Sequence, residues 1–487
     1  MLTEKNINNY ELPSVYPVTG HTDFVGKGST FVAIPGVKSN GLDYVVLALQ
    51  KGAHVIVVQN DVVVPPEIEE LIQKHNAKIV RVNNCRKALA EMSAQALDFP
   101  AKKLKIVAVT GTKGKTSTSY MAYHMLHVLG KKVALISTVE KRIESNIVSL
   151  PLTTPQPDAI HMFLDACVKR NIEYVIMEIS AQALSLQRVE GIEFHAGIFT
   201  NFSHEHLEFY KDMKQYFEAK TLLISKIKNP KNMFINLDDK HGAFLLTQNP
   251  ECSSFSLQDK RATLCGCAHQ GKTDTLVEVK IGHQIYKVHL PLLGQFNVYN
   301  LLGVLCIMHA LGINLSDVQW TLKTLHYIPG RMEQYPLHNG ARCIIDYAHN
   351  PSSFEAVLST LRSMTSHLIV VFGLAGNRDR QKRPIMASIA QKYCDVVILT
   401  SDNPRDENPE EIAKEVVVGF VPDKNFQFHQ ELNRVTAIEL GCKLTKQGSI
   451  VAILGKGRDE YQIVGDVTFD FKERLIIKPF ILLQDGN

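Results

Sequence analysis

The sequence predicts an α/β protein of three domains, each built on a parallel sheet wrapped by helices, and three observations carry that expectation. The chain has 487 residues, too many for one core at roughly 150 residues per domain. Short β-rich apolar runs alternate with helical stretches along its whole length, the pattern of strand-helix-strand crossovers. Two breaks punctuate the alternation, the polar "FPAKK" (99–103) and the Pro-Gly pair of "YIPGRMEQY" (327–335), a dipeptide that favours turns over regular elements. They divide the chain into 1–100, 101–330 and 331–487.

The first domain is a small α/β unit with strands expected at "STFVAI" (29–34), "AHVIVVQ" (53–59) and "AKIVRV" (77–82). The second opens on "KIVAVT" (105–110) and continues through "KVALIST" (132–138), "YVIMEIS" (174–180), "AGIFTNF" (196–202) and "NMFINL" (232–237). The third, of Rossmann-like pattern, carries "RCIIDY" (342–347), "HLIVVFG" (367–373), "CDVVILT" (394–400) and "SIVAILG" (449–455).

Composition excludes several classes. Apolar residues make up 45% and charged residues 21%, with a formal net charge of +4; this is ordinary globular composition and gives no argument for nucleic-acid binding. No apolar run reaches the roughly 18–20 residues of a membrane span, and the first eighteen residues lack the basic start and apolar middle of a signal peptide. The expectation is a cytoplasmic chain. Nine scattered cysteines fit reduced thiols better than a disulfide framework. "CGC" (265–267), with His269 nearby, lacks a second ligand pair at zinc spacing and reads as structural.

The most specific motif is "VAVTGTKGKTST" (107–118), a strand, a glycine turn and a helix start. Glycines let backbone N–H groups converge on phosphate oxygens, the helix N-terminus favours negative charge, Lys115 neutralises it, and the Thr116 hydroxyl can hold magnesium. Gly111, Thr112, Lys113, Gly114, Lys115, Thr116 and Ser117 are thus the expected nucleotide triphosphate loop. The spacing departs from G-x-x-x-x-G-K-[ST], since Val109 stands where its first glycine would be. The central domain is therefore expected to be a P-loop parallel-sheet ATPase domain.

Polar groups gather at neighbouring strand ends. "MEIS" ends with Glu178 and Ser180, and "TNFSHEHLEFY" (200–210) holds His204, Glu205 and His206. Ligands collect at the carboxyl ends of strands in doubly wound sheets, so Thr116, Glu178 and His206 form a candidate magnesium site; polar residues at solvated strand exits are the plainer alternative. Lys220 falls on the apolar stripe Met213, Phe217, Lys220, Ile224, Ile227, which follows the spacing of one helix face. Burial there would favour a neutral amine, although a lysine near a helix end also snorkels to water.

Four strands of the third domain end in charged or glycine-rich loops: "DYAHNP" (346–351), "GLAGNRDRQKRP" (373–384), "SDNPRDENP" (401–409) and "GKGRDEYQ" (455–462). Together they suggest a pocket in which Arg378 and Arg405 grip carboxylates while Asp459 and Glu460 receive an ammonium. An amino acid with an additional carboxylate fits that pattern.

The shortened loop T-G-T-x-G-K-[ST], "LTTP", "MEIS", "NFSHEH", "FEAK", "GQFNVYN", "PGRME", "DYAHNP", "GNRDRQKRP", "DNPR" and "GKGRDEYQ" occur here in the order found in the Mur ligases, and the sequence closely resembles their MurE branch. These are ATP-dependent enzymes that join amino acids to a nucleotide-linked peptide precursor of the bacterial cell wall. The resemblance implies addition of meso-diaminopimelate to the D-Glu side-chain carboxylate of UDP-MurNAc-L-Ala-D-Glu, with ATP and Mg2+ and a chain acting as a monomer. It implies catalytic roles for Lys115, Glu178, His206 and Lys220, the last as an N6-carboxylysine that joins Thr116, Glu178 and His206 at the metal. Asn297, Arg331 and Asp346 match positions around the nucleotide. Arg378, Asp402, Asn403, Pro404, Arg405, Gly455 and Asp459 match the diaminopimelate site. Thr153, Thr154, Ser180 and Arg188 match the acceptor site, and Thr22, Val37, Lys38 and Ser39 its uridine end.

The chain departs from the family pattern at several positions. "HTD" (21–23) replaces "DSR", "SAQ" (180–182) replaces "SSH", Glu205 replaces an aspartate, and "GKGRD" (455–459) replaces "GKGHE". Three other readings stand beside the main one: the same reaction with L-lysine, a folylpolyglutamate synthase-type ligase, and a nucleotide-dependent binding module that does not ligate.

Overall fold

The computed structural model describes residues 9–36, 39–205, 209–271, 274–421 and 427–482. The chain forms two compact units. The first takes the residues up to Cys267 with Glu278–Tyr286 and Tyr299–Thr324, and the second takes Ala268–Val277, Lys287–Val298 and the residues from Leu325 onward.

The first unit begins with a parallel sheet of β1 (Val18–Thr19), β2 (Thr30–Val32), β3 (Val55–Gln59) and β4 (Lys78–Val82), in that order. Three of these strands lie within the expected runs; β1 is too short to show a pattern. One face packs Val25, Phe31, Val45, Ile56 and Val58, and the other Val18, Val32, Val57 and Leu89, the alternation that a pleated strand imposes. The helix Cys85–Ala96 starts where Asn84 Oδ1 accepts the N–H groups of Arg86 and Lys87, both at 3.0 Å. At the expected break Phe99 takes a left-handed φ of 50° and opens the short turn Pro100–Lys103.

The larger sheet of this unit comprises β5 (Lys105–Thr110), β6 (Val133–Ile136), β7 (Lys141–Ile143), β8 (Asn146–Ile147), β9 (Tyr174–Glu178), β10 (Ala196–Phe199), β11 (Met233–Asn236) and β12 (Ser253–Ser256). They run β12-β11-β10-β5-β9-β6-β7-β8 across it. The chain lays β6 and β9 to one side of β5 and then β10 to β12 to the other, so the winding reverses at β5. Such a reversal opens a crevice at the carboxyl ends of the strands. Parallel register sets Val109 beside Glu178 and Thr110 beside Phe199, so the segments after Thr110, Glu178 and Phe199 leave the sheet side by side. The helix Lys115–Val128 is buried at Thr116 through Leu126, which keeps its first turn fixed against the sheet. Asp158 joins the two sheets, accepting Thr19 Oγ1 at 2.7 Å and Gly20 N at 3.2 Å.

Outside the sequence expectation lie β7, β8 and β12 and three further strands, β13 (Leu264–Gln270), β14 (Thr275–Ile281) and β15 (Gln284–Leu290), which are divided between the two units. "CGC" lies in β13, and all nine cysteines are free thiols.

The second unit is a sheet of β16 (Glu333–Pro336), β17 (Arg342–Asp346), β18 (Leu368–Leu374), β19 (Val396–Ser401), β20 (Gln427–Gln430) and β21 (Ile450–Leu454), ordered β16-β17-β21-β18-β19-β20. All neighbours are parallel except β16 and β17. Register aligns Ile344, Ala452, Val370 and Val397 in one row and Ile345, Ile453, Val371 and Ile398 in the next. The first row faces the core that includes Phe354, Leu358 and Met386, the second the core of Ala437, Ile438 and Ile477. Burial on both faces explains why these strands read as continuous apolar runs. A hairpin, β22 (Tyr461–Val464) with β23 (Val467–Asp470), follows β21. Among the described residues no helix is long and apolar enough to cross a membrane.

Candidate active site

In the first unit the phosphate loop is splinted by the residues that follow β10. Asn201 O accepts Thr112 N at 2.8 Å, Asn201 Oδ1 accepts Lys113 N at 3.0 Å, and Thr200 Oγ1 donates to Lys113 O at 2.6 Å. Gly111 has φ +139°, and a Cβ there would fall 1.9 Å from Thr200 Oγ1, so only glycine fits the close crossing. The N–H groups of Thr112 and Lys113 are thus engaged within the fold, while the helix start at Gly114 has no side-chain cap. Lys115 Nζ folds back to Gly111 O and Thr112 O, each at 2.9 Å. Ser117 is buried beside Thr116.

Glu178 is completely buried and held by neutral donors. Thr116 Oγ1 donates to Oε2 at 3.1 Å, Thr138 Oγ1 to Oε2 at 3.0 Å and Thr138 N to Oε1 at 2.9 Å, with the Ser137 hydroxyl also on Oε1. The same strand end organises the expected acceptor residues. Thr154 Oγ1 donates to Glu178 O at 2.8 Å and accepts Ser180 N at 3.0 Å, while Arg188 Nη1 donates to Thr154 O at 3.0 Å. Thr153 Oγ1 lies 3.0 Å from Thr138 Oγ1.

Lys220 is buried, its Nζ donating to Gly111 O at 2.7 Å and lying 4.6 Å from the Tyr216 ring centroid. Burial, together with the Lys115 charge, holds its pKa well below the usual lysine value, against the pull of Glu205. Burial likewise brings Lys113 down to about 8. The helical stripe that exposed Lys220 in the sequence is interrupted: the α-helix spans Met213–Thr221, and Ile224–Lys226 form a 3-10 turn. The apolar side chains of the stripe still pack on the core, but Lys220 turns to the phosphate loop. His206 lies outside the described residues, as do Val37 and Lys38. Thr22 is buried, with its carbonyl 3.0 Å from Lys51 Nζ, and Ser39 is exposed. Among the described residues no group of three His, Cys, Asp or Glu side chains could hold a metal.

In the second unit the strand-end loops form a second constellation. Asp402 pairs with Lys456 at 3.0 Å, and Lys456 Nζ also donates to Asn403 Oδ1 and Tyr461 O, both at 2.8 Å. Arg405 takes a left-handed φ of +53° and its Nη1 donates to Gly376 O at 2.8 Å. Gly376 N donates to Asn403 O at 2.9 Å, and a Cβ on Gly376 would fall 1.9 Å from Pro404 O. The loops carrying Arg378 and Arg405 are therefore pressed together. Glu407 pins them further, accepting Asn377 N at 2.6 Å and Arg383 Nη2 at 2.9 Å. Arg378 itself is exposed.

Gly455, at φ +116°, donates its N–H to Asp346 O at 3.1 Å, and Asp346 accepts Met332 N at 2.8 Å and Ala348 N at 2.7 Å. Burial raises the Asp346 pKa, opposed by Arg331, whose guanidinium lies 4.6 Å from the Tyr347 ring centroid. Asn297 is buried and donates to Leu293 O at 2.8 Å. Asp459 is pushed up to about 6 by burial, against the charge of Lys456.

The chain matches three family descriptions in succession: "Mur ligase family, catalytic domain" over residues 18–96, "Mur ligase middle domain" over 109–308 and "Mur ligase, glutamate ligase domain" over 330–457. It is 35% identical over 454 residues to the UDP-N-acetylmuramoyl-L-alanyl-D-glutamate--2,6-diaminopimelate ligase of Fusobacterium nucleatum, covering 92% of this chain and 90% of that one. The ligase of the same name from Cytophaga hutchinsonii is 35% identical over 488 residues, covering 96% and 97%. The chain belongs to the Mur ligase family.

A solved structure of a ligase of that name resembles this Mur ligase with a TM-score of 0.67 at 27% identity, covering 96% of this chain and 94% of that one. The folylpolyglutamate synthase of Mycobacterium tuberculosis shares the fold, with a TM-score of 0.60 at 16% identity, over 76% of this chain and 92% of its own.

The structure adds residues to this Mur ligase that sequence reasoning passed over: Ser137, Thr138, Thr200 and Asn201 in the first unit, Arg383, Glu407 and Lys456 in the second. "TNF" after β10 signalled its polar pair by position alone, and "GKG" offered Lys456. Nothing in the sequence pairs Glu407 with Arg383.

Proposed function

We propose that this chain is an ATP-dependent ligase that joins meso-diaminopimelate to the D-Glu side-chain carboxylate of UDP-MurNAc-L-Ala-D-Glu, in making the peptidoglycan precursor. Relatives bearing that name align over more than nine-tenths of the chain. The observation that carries the reading is the loop Asp402–Arg405, held rigidly at the end of β19 with its arginine set against the second arginine loop. We assign 1–100 to the UDP-substrate domain, 101–330 to the ATP domain and 331–487 to the amino-acid domain, in a monomer working in the cytoplasm, where ATP is available and nine free thiols persist.

A carboxylate is a poor acyl donor, so amide formation requires its activation. The D-Glu carboxylate attacks the γ-phosphate of ATP, Lys115 and the uncapped helix start offsetting the charge on the transferring oxygens. The acyl phosphate is then attacked by the neutral amine of diaminopimelate, giving the amide, ADP and phosphate. Thr153, Thr154, Ser180 and Arg188 hold the acceptor beside Glu178. Thr22 and the segment 37–39 take its uridine end, and Asn297, Arg331 and Asp346 the nucleotide. Arg405 and Arg378 hold the distal carboxylate of diaminopimelate, with Asp402, Asn403, Gly455 and Asp459 around its amino-acid end.

The donor set fits magnesium: a buried carboxylate and a threonine hydroxyl 3.1 Å apart at the phosphate loop supply hard oxygens, and this ion keeps several waters. Thr116 and Glu178, with His206, would hold it, and when bound it supplies charge stabilisation to the phosphoryl oxygens. Lys220 fits carboxylation. Its buried amine favours the neutral form that takes up carbon dioxide, and the N–H retained by a carbamate keeps the bond to Gly111 O.

Phosphate release with ATP, magnesium and UDP-MurNAc-L-Ala-D-Glu, measured with meso-diaminopimelate, L-lysine or L-glutamate, tests the reading. Stimulation by diaminopimelate is expected. Stimulation by L-lysine alone reassigns the amino acid, by L-glutamate alone points to folylpolyglutamate-type chemistry, and slow release indifferent to all three leaves a nucleotide-binding module.

A further inference from the structure

The hairpin β22–β23 lies beyond the matched domains, which end at residue 457, and is laid along Asp402–Arg405. Gln462 Nε2 donates to Asp402 O at 2.7 Å and Ile463 N to Asn403 Oδ1 at 3.0 Å. Arg405 N donates to Ile463 O at 3.2 Å, Gly465 N donates to Arg405 O at 2.9 Å, and Arg405 bridges Val464 in parallel. Both backbone polar groups of Arg405 are thereby bonded to the hairpin. That matters because its φ of +53° is uphill for a residue with a Cβ and must be held by its surroundings.

The hairpin has little burial of its own. Val464, Val467 and Phe469 are 44%, 53% and 53% exposed, and a two-stranded hairpin is marginal in isolation. Its anchorage is the Asp402–Arg405 loop and Lys456, whose Nζ bonds both Asn403 Oδ1 and Tyr461 O.

The geometry points to the hairpin Tyr461–Asp470 as a specificity-positioning strap of the amino-acid site, with Gln462 a positioning residue that fixes Asp402–Arg405 so that the Arg405 fork meets the distal carboxylate. This inference rests on the reading of the second unit as the diaminopimelate site. Lysine lacks that carboxylate, so loosening the strap penalises diaminopimelate selectively.

Steady-state kinetics of full-length Gln462→Ala with ATP, magnesium and UDP-MurNAc-L-Ala-D-Glu should show KM for diaminopimelate raised by about tenfold, the loss of one hydrogen bond. KM for ATP and kcat should stay within about twofold, and the kcat/KM preference for diaminopimelate over L-lysine should fall with the KM change. Gln462→Glu keeps the volume without the N–H and should behave alike, deciding the matter if the alanine variant misfolds. An unchanged diaminopimelate KM in both variants, or an equal rise in KM for ATP, overturns the inference while leaving the ligase reading intact. Absence of diaminopimelate-dependent turnover by the wild type removes both.

Discussion

The phosphate loop and the strand ends of the second unit handle buried charge in different ways, although the first unit also holds the buried pair Arg142 with Glu140 elsewhere. Beside the phosphate loop, Glu178 is surrounded by hydroxyls and a backbone N–H, and Lys220 bonds a carbonyl oxygen. At the strand ends of the second unit, charge meets charge: Lys456 with Asp402, Arg383 with Glu407 and Glu415, Arg434 with Glu473. Neutral donors leave a charge incompletely offset, as the phosphate and magnesium site proposed above requires. Paired charges fix geometry in advance, as the proposed discrimination of amino acids by one carboxylate requires. The first arrangement is poised, the second preorganised.

That contrast can be broken by substitution. Lys220→Ala should lower kcat by about 10³-fold, the scale of losing a group that stabilises transition-state charge, with partial recovery on adding a short-chain carboxylate; kcat near wild type would make Lys220 structural. Arg405→Ala should raise KM for diaminopimelate about 100-fold, as expected for losing a charge-assisted bidentate contact of about 3 kcal/mol, without weakening ATP binding by calorimetry; equal losses would make the loop a general scaffold. Lys456→Ala leaves the Asp402 carboxylate buried and unpaired, so denaturant unfolding should show a loss of about 3 kcal/mol, whereas Thr138→Ala, removing one neutral donor from Glu178, should cost about 1 kcal/mol.

The smallest effect concerns pH. Asp459 is raised to about 6, so below that value it is neutral and holds an ammonium poorly; KM for diaminopimelate should climb several-fold as pH falls through 6. The folded state binds this proton more tightly than the unfolded one, so stability from this group is greatest at low pH and declines as pH rises towards 6. Asp459→Asn should therefore raise the thermal midpoint at pH 7 while impairing diaminopimelate use and flattening its pH profile.

How much of this was legible in the sequence follows the range of each interaction. Strands buried on both faces, such as Val396–Ser401 and Ile450–Leu454, announced themselves as apolar runs, and the phosphate loop by its glycines. Lys220 was visible as a lysine out of place on an apolar stripe, although the helix stops at Thr221 and the bond to Gly111 O lies across 109 residues. The amphipathic strands β13 to β15 and the exposed hairpin β22–β23 lack a contiguous apolar signal and were missed. Lys456, Glu407 and Gln462 act on partners 24 to 60 residues away, and only the folded chain reveals such pairs.

The two rows of side chains in the second sheet have an evolutionary consequence. Because Ile344, Ala452, Val370 and Val397 close one core and Ile345, Ile453, Val371 and Ile398 the other, those cores are filled mainly from strands and helices and take no buried residue from the loops that follow Leu374, Ser401 and Leu454, whereas Ala348, after Asp346, joins the first. Inherited changes in those loops leave the packing of the strands alone, provided that buried pairs such as Asp402 with Lys456 are kept or replaced together. On the function proposed above, a lineage exchanges one amino acid for another by rewriting turns while its strands stand still.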